Sequence, residues 1–287
     1  ELQNEVFARA NGMKLGDVAQ SMTIHDGTAY IVVNNSGIVF GIDPETFRIE
    51  RVIRGIGSPR YICFNDSVAY VTSLYEPRIA VVDVATAAVA DYIETPDHTS
   101  TEQMAIWGDT LYVSCWSYDD AVLMVDLTSG EVAGEIGVRS QPRQIALDGD
   151  GRLWVLTDGG YGEGSSPKPP ALYRIDAASG SIEREFVFRM GDTPRGLAVG
   201  AGGDTVYFLN GDVWRMDTDA EELPREPFIP ASNTIYYALG VDPRRGDIYV
   251  GDAIDYQQQG VVYRFSADGR GLDTLRVGII PTDFCFR

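Results

Sequence analysis

The sequence predicts an all-β fold, a propeller of four-stranded antiparallel blades, and three observations carry that prediction. The first is a repeat in which polar turn residues precede a short run ending in an aromatic and then Val, Ile or Phe. Its aromatics are Tyr30, Tyr70, Tyr112, Trp154, Tyr207 and Tyr249, separated by 40, 42, 42, 53 and 42 residues, which is the length of one blade. The second is a partner phrase, apolar residues running into Asp and a turn, that follows each first one: FGIDPETF, AVVDVATA, LMVDLTSG, YRIDAASG, WRMDTDAE and, with Ser for Asp, YRFSADGR. The third is period-2 alternation with β-branched and aromatic enrichment throughout, and no window holds a persuasive amphipathic helix.

The elements follow in order. Each aromatic phrase is a second strand, and each partner phrase marks the third strand and the hairpin into the fourth. A Pro or polar residue opens each innermost strand, at SPRYICF, STEQMAI, QPRQIAL, TPRGLAV, TIYYALGV and PTDFCFR. Six blades are complete on this reading. Thr282–Arg287 supplies the first strand of a seventh and Asn4–Arg9 its fourth, so that both termini close the ring and leave no open edge. The two ends provide about half of the roughly 42 residues a blade needs, so the closing blade is expected to lack its two middle strands in this chain. A six-bladed ring is the rival reading. All-β architectures often run to this length as one unit, so residues 1–287 are read as a single domain.

Composition narrows the function. With 42 acidic and 23 basic residues the formal charge is −19, and the hydrophobic content is 44%. That content argues against disorder, and the charge repels nucleic-acid phosphates while keeping a free monomer soluble. No run approaches the roughly 20 apolar residues of a membrane-spanning helix. Cys63, Cys115 and Cys285 lack metal-ligand spacing and read as small buried hydrophobes.

Catalytic signatures are meagre: the chain has no nucleophile elbow, HExxH or Walker loop, and the expectation is a protein that is not an enzyme, with no catalytic cofactor and no metal ligands. His25 reads as a solvated turn residue, and His98 lies in a crossing between blades. Asp17, Glu102 and Asp283 are carboxylates of nonspecific spacing near a channel mouth. Arg60, Arg143 and Arg195 recur with the repeat, which suits bracing between blades, contact with an anionic ligand group being the alternative.

Strand polarity sorts the loops. Hairpins joining first to second and third to fourth strands emerge on one face and are short turns. Loops joining second to third strands, and the crossings, emerge on the other and hold everything that breaks the repeat: NNSG, LYEPR, CWSYDD, DGGYGEGSSPKPP and DAIDYQQQG. The long loop after Thr157 explains the 53-residue interval. This face offers Tyr75, Trp116, Tyr118, Tyr161, Tyr236 and Tyr256 beside Asn34, Asn35, Gln103, Asp158, Asp255 and Gln257–Gln259. Rings among amides and carboxylates suit a large ligand with an apolar body and a polar rim. The plainer reading makes the rings blade-end caps and the polar groups solvated.

The segments DVAQSM, VVNNS, SPRYI, STEQM, CWSY, TDGGY, DAIDYQQQG and VGIIP resemble those of YncE-like, YVTN-type seven-bladed propellers carried as surface lipoproteins by gut Bacteroidetes, in particular the corrinoid-capturing BtuG group. The resemblance spans essentially the whole chain. It implies a lipid-anchored protein on the outer leaflet of the outer membrane that binds cobalamin and cobinamide as transported ligands. These would pass to a BtuB-like TonB-dependent transporter on which the protein sits as a lid. The lipidated cysteine of the family is not in this chain. Joined to the loop reading, the resemblance selects Asn35, Tyr75, Gln103, Trp116, Tyr118, Asp158, Tyr161, Tyr236, Asp255, Tyr256 and Gln257 as ligand-binding residues, the rings as contact surfaces and the polar groups as partners for corrinoid amides. A metal-dependent, lactonase-like hydrolase and an adhesion or scaffold protein are the alternatives.

Overall fold

A computed structural model describes residues 2–160, 167–231 and 234–287. The chain forms two compact units, Glu1–Glu135 with Arg287, and Ile136–Phe286.

The first unit opens with a short helix, α1 (Val6–Asn11), where the sequence suggested a strand. Phe7 explains the difference: it is buried, its ring lies 5.1 Å from that of Phe40, and Asn11 ties the helix down by donating to Phe47 O at 2.8 Å and accepting from Ile49 N at 3.0 Å. One apolar contact and one side-chain clasp are satisfied by a single helical turn as well as by a strand. Three antiparallel sheets follow in meander order. The first holds β1 (Ala19–His25), β2 (Thr28–Val33), β3 (Ile38–Ile42) and β4 (Ile49–Arg54); the second β5 (Pro59–Asn65), β6 (Val68–Ser73), β7 (Arg78–Asp83) and β8 (Ala88–Glu94); the third β9 (Thr101–Trp107), β10 (Thr110–Cys115), β11 (Ala121–Asp126) and β12 (Glu131–Gly137).

The second unit continues the pattern with β13 (Pro142–Leu147), β14 (Arg152–Thr157), β15 (Ala171–Asp176) and β16 (Ser181–Val187), then β17 (Arg195–Val199), β18 (Thr205–Asn210) and β19 (Asp212–Asp217), then β20 (Tyr236–Val241), β21 (Ile248–Asp252), β22 (Gln259–Phe265) and β23 (Gly271–Ile279). Its middle sheet has three strands where a complete blade of four was expected. The outer strand shrinks to one bridge between Val213 and Ile229, because Pro224, Pro227 and Pro230 remove the N–H groups a ladder needs. Among the described residues there are thus six sheets, and no seventh blade forms. Thr282–Arg287 forms no regular strand; Phe284 and Phe286 set their rings 5.9 and 5.3 Å from that of Tyr249. Gly240 makes room for this, since a Cβ there would stand 2.6 Å from Phe284 Cβ.

Apolar side chains pack between neighbouring sheets. Tyr30, Val32 and Ile53 meet Ile62, Val71 and Val82, and Tyr70, Ile79 and Ile93 meet Leu111, Leu123 and Val125. In the second unit Trp154, Leu172 and Phe186 meet Val206, Phe208 and Met216, and Tyr207 and Leu209 meet Ile248 and Val250. Five of the six repeat aromatics are buried, each contributing about 1.5–3 kcal/mol by burial. The repeat is therefore a core repeat.

The partner phrases are turn chemistry, as read. Asp43 Oδ1 accepts from Thr46 N at 2.6 Å, Asp83 Oδ1 from Thr86 N at 2.7 Å, Asp126 Oδ1 from Thr128 N at 2.7 Å, and Asp176 Oδ1 from Ser179 N at 2.7 Å. These bonds, together with the Thr86 and Ser179 hydroxyls that are the larger cause at Asp83 and Asp176, hold all four carboxyls below the ordinary aspartate range. A depressed carboxyl stabilises the fold above its unfolded pKa and loses that contribution as pH falls through the folded value. Melting followed from about pH 6 to about pH 3 is expected to show a falling Tm. Asp→Asn changes at the four positions are expected to flatten that fall, because the amide oxygen still accepts but does not titrate.

Candidate functional site

One local device recurs where five of the six blades begin. The first residue after the second strand donates its N–H to the carbonyl just ahead of the first strand: Asn34 to Val18, Leu74 to Ser58, Trp116 to Ser100, Asp158 to Gln141 and Ala253 to Ile235, at 2.7–3.4 Å. The accepting residues Val18, Ser58 and Gln141 sit in the left-handed region, at φ 60°, 42° and 62°. The register slips by a bulge in each first strand, at Gln20 in β1, Arg60–Tyr61 in β5, Glu102–Gln103 in β9, Arg143 in β13, Gly196–Leu197 in β17 and Tyr237 in β20. A bulged residue leaves the ladder and its side chain is re-aimed.

In the first unit three bulged residues meet. Arg60 donates through Nε and a terminal nitrogen to both oxygens of Glu102 at 2.5 Å, and its other terminal nitrogen donates to Gln20 Oε1 at 2.8 Å. Gln20 Nε2 donates to Tyr61 Oη at 3.3 Å. Arg60 and Glu102 are both buried, and the guanidinium carbon lies 5.7 Å from the centre of the Trp116 ring. Arg60 is thus a brace between blades, the role its recurrence suggested, and Glu102 is its counterion.

The first unit's predicted contacts differ in exposure. Trp116 and Gln103 are half-buried, and Asn35 is exposed with Nδ2 donating to Asp17 Oδ2 at 3.1 Å. Tyr75 and Tyr118 stand out at 74% and 71% exposure. Ser117 and Tyr118 have φ of 30° and 69°, a left-handed conformation that costs non-glycine residues about 1–3 kcal/mol each. Asn34 is buried and donates to Pro59 O at 3.0 Å, which makes it structural.

The second unit repeats the theme with other residues. Tyr256, 44% exposed and left-handed at φ 62°, packs edge-on against Tyr237 at 5.7 Å, and the Arg195 guanidinium lies 5.7 Å from the Tyr237 ring centre. Asp255 folds this loop by accepting from Gln257 N at 3.0 Å and Gln258 N at 2.9 Å. Those bonds hold its exposed carboxyl below the ordinary range, while Gln257 is exposed. Asp158 is half-buried and accepts from Gly160 N at 3.0 Å. It lines a cavity of about 290 Å³ together with Arg143, Lys168, Met190, Asp192 and Arg195. A second cavity of about 740 Å³, sharing Asp192, is bounded by Phe188, Phe208, Trp214 and Arg225.

Tyr161 lies outside the described residues. Tyr236 is no rim residue: it is 9% exposed, its ring is 6.1 Å from that of Tyr263, and burial pushes its hydroxyl pKa up. The sequence argument fell one residue short, since the bulge turns Tyr237 rather than Tyr236 toward Tyr256. Gln20, Tyr61, Tyr237 and Lys168 were passed over. The first three occupy the repeat position two or three residues beyond the pinned carbonyl, so a register alignment of the strand openings would have found them.

Breaking a buried ion pair from one side leaves an uncompensated charge, which costs about 3–5 kcal/mol. Glu102→Ala is expected to lose stability of that order in urea unfolding. The double change Arg60→Met with Glu102→Leu is expected to recover most of it.

Two solved structures resemble the chain. Hydrazine synthase from Kuenenia stuttgartiensis aligns with a TM-score of 0.78 at 17% identity over 92% of this chain and 88% of its own. A quinonprotein alcohol dehydrogenase-like protein from Bacteroides thetaiotaomicron aligns at 0.70 and 17%, over 95% and 70%. At this identity the likeness shows the fold alone, a β-propeller of antiparallel blades. No curated protein matches. Residues 1–277 match the model of a domain of unknown function, DUF5074, and the chain belongs to that family.

Proposed function

We propose that the chain is a non-enzymatic surface protein that captures cobalamin and related corrinoids with the loops following the second strand of each blade. It would deliver them to a BtuB-like TonB-dependent transporter at the outer membrane. One observation carries the reading. Tyr118 and Tyr256 are exposed and both are held in left-handed backbone, and exposed amides lie on the same class of loop, Asn35 in the first unit and Gln257, next in the chain to Tyr256, in the second. Exposed rings on stiff, strained loops give up little entropy on binding a broad ligand fringed with amides. The resemblance of the loop segments to the corrinoid-capturing propellers supplies the ligand class. A hydrolase needs several carboxylates free to converge; Glu102 is committed to Arg60 and Asp17 accepts from Asn35, so binding is the better-supported reading.

A seventh blade belongs to the same proposal. Ile280, at φ 53°, precedes Pro281, just as left-handed Ser58 and Gln141 precede Pro59 and Pro142 at the openings of β5 and β13. We therefore read 282–287 as the inner strand of a further blade, even though it is not a regular strand here.

Calorimetric titration with cyanocobalamin and cobinamide is expected to give stoichiometric binding. Tyr118→Ala and Tyr256→Ala, tested separately, are each expected to weaken it on the order of ten-fold. Silence with both corrinoids, or affinities indifferent to both changes, would overturn the reading.

A further inference from the structure

A second cluster in the first unit is not used by that proposal. His98, Cys115 and Asp119 bring one imidazole nitrogen, one sulfur and one carboxylate oxygen within 4.8 Å of one another. His98 Nδ1 lies 2.8 Å from Asp119 Oδ2, and Nε2 lies 3.4 Å from Glu135 Oε2 on the other side of the ring. The cluster is enclosed: the side chains of His98 and Asp119 are 15% and 14% exposed, and Cys115 is fully buried. Each ligand is positioned by its own element. Cys115 ends β10; Asp119 is turned back over it by the left-handed Ser117–Tyr118 pair; His98 is clamped by its own N–H to Thr95 O at 2.9 Å and by Thr95 Oγ1 to its carbonyl at 2.8 Å.

From this arrangement we infer that His98, Cys115 and Asp119 form a binding site for a zinc-like divalent transition metal. Ligand atoms on one zinc ion lie about 3–4 Å apart, so small side-chain rotations complete the set. Nitrogen, thiolate and carboxylate together select zinc or cobalt over calcium and magnesium, which take oxygen. Glu135 suits the outer carboxylate that fixes a ligating imidazole by accepting from its far nitrogen. A cavity of about 290 Å³ bordered by His98, Glu135 and Leu123 gives solvent a way in. Without metal, Nδ1 donates its proton to Asp119, and burial with the carboxylates Asp119 and Glu135 keeps the Cys115 thiol protonated. On binding, the Sγ proton leaves to solvent and the imidazole proton passes from Nδ1 to Nε2, where Glu135 accepts it, so that metal bonds replace the S–H and Nδ1–H bonds and Asp119 exchanges an accepted hydrogen bond for the third. Nothing is oxidised.

The test uses the reduced full chain, freed of metal by a chelator and titrated with Zn²⁺ or Co²⁺ alone. It involves no corrinoid, so its outcome is independent of the proposed cargo. One Zn²⁺ per chain is expected, with a raised Tm, and Co²⁺ is expected to show a thiolate-to-metal charge-transfer band. Cys115→Ala is expected to abolish the band. His98→Ala and Asp119→Asn are expected to weaken Zn²⁺ at least about ten-fold, with His25→Ala unchanged. Asp119→Asn keeps side-chain shape in a loop, so it serves should Cys115→Ala fail to fold. Absence of the band, or a Zn²⁺ affinity unchanged by Asp119→Asn, overturns the inference.

Discussion

A single hydrogen bond, from the first residue past a second strand to the carbonyl ahead of the first strand, recurs in five of the six blades and shapes the loops of both units. It pins the loop it starts from, and the accepting residue, left-handed at Val18, Ser58 and Gln141, delivers the chain into a bulge. A strand's side chains alternate faces with period two, so an inserted residue cannot keep its place in the ladder and must point elsewhere. That is how Gln20, Arg60 and Glu102 come to face one another, and how Tyr237 comes to support Tyr256. Loop position and inward-facing residue are set by the same bond, so rim and interior cannot be altered independently.

The strong negative charge has a prosaic source. Many of its aspartates close turns, their oxygens capping backbone N–H groups that a tight hairpin leaves without partners. Such carboxylates say little about a ligand. The informative charges are those out of water: Arg60 with Glu102, where two buried ions persist because each satisfies the other's hydrogen-bonding groups, and Asp119 facing His98. Likewise, the informative rings are the tyrosines left outside the core, since the repeat aromatics are accounted for by packing between sheets.

What could be read from the sequence divides by range. The repeat aromatics and the turn aspartates were legible because each is a local pattern answering a local need. Helix α1 was not, because a six-residue stretch with one buried ring fits either periodicity and only the pocket beside Phe40 decides. The missing outer strand of the fifth blade was legible in principle, since three prolines within seven residues forbid a ladder; the repeat overrode the chemistry. Tyr236 and Tyr237 show the finer limit. Which of two adjacent tyrosines is buried depends on where a bulge falls, and the strand's amino acids do not announce it.

The cluster at His98 was invisible for a different reason. Its ligands lie 17 and 4 residues apart in the chain, on a crossing, a strand end and a loop, and no compact spacing encodes them. Yet the loop that carries Asp119 is also the loop that carries Trp116 and Tyr118. Ser117 and Tyr118, both left-handed, leave this segment few alternative paths between the buried Cys115 and the enclosed Asp119. A force that holds Asp119 on His98 therefore also fixes the backbone from which Tyr118 projects. In this unit, order in the exposed ring is inherited from a polar contact beneath it, which is how a rim can be stiff without being packed.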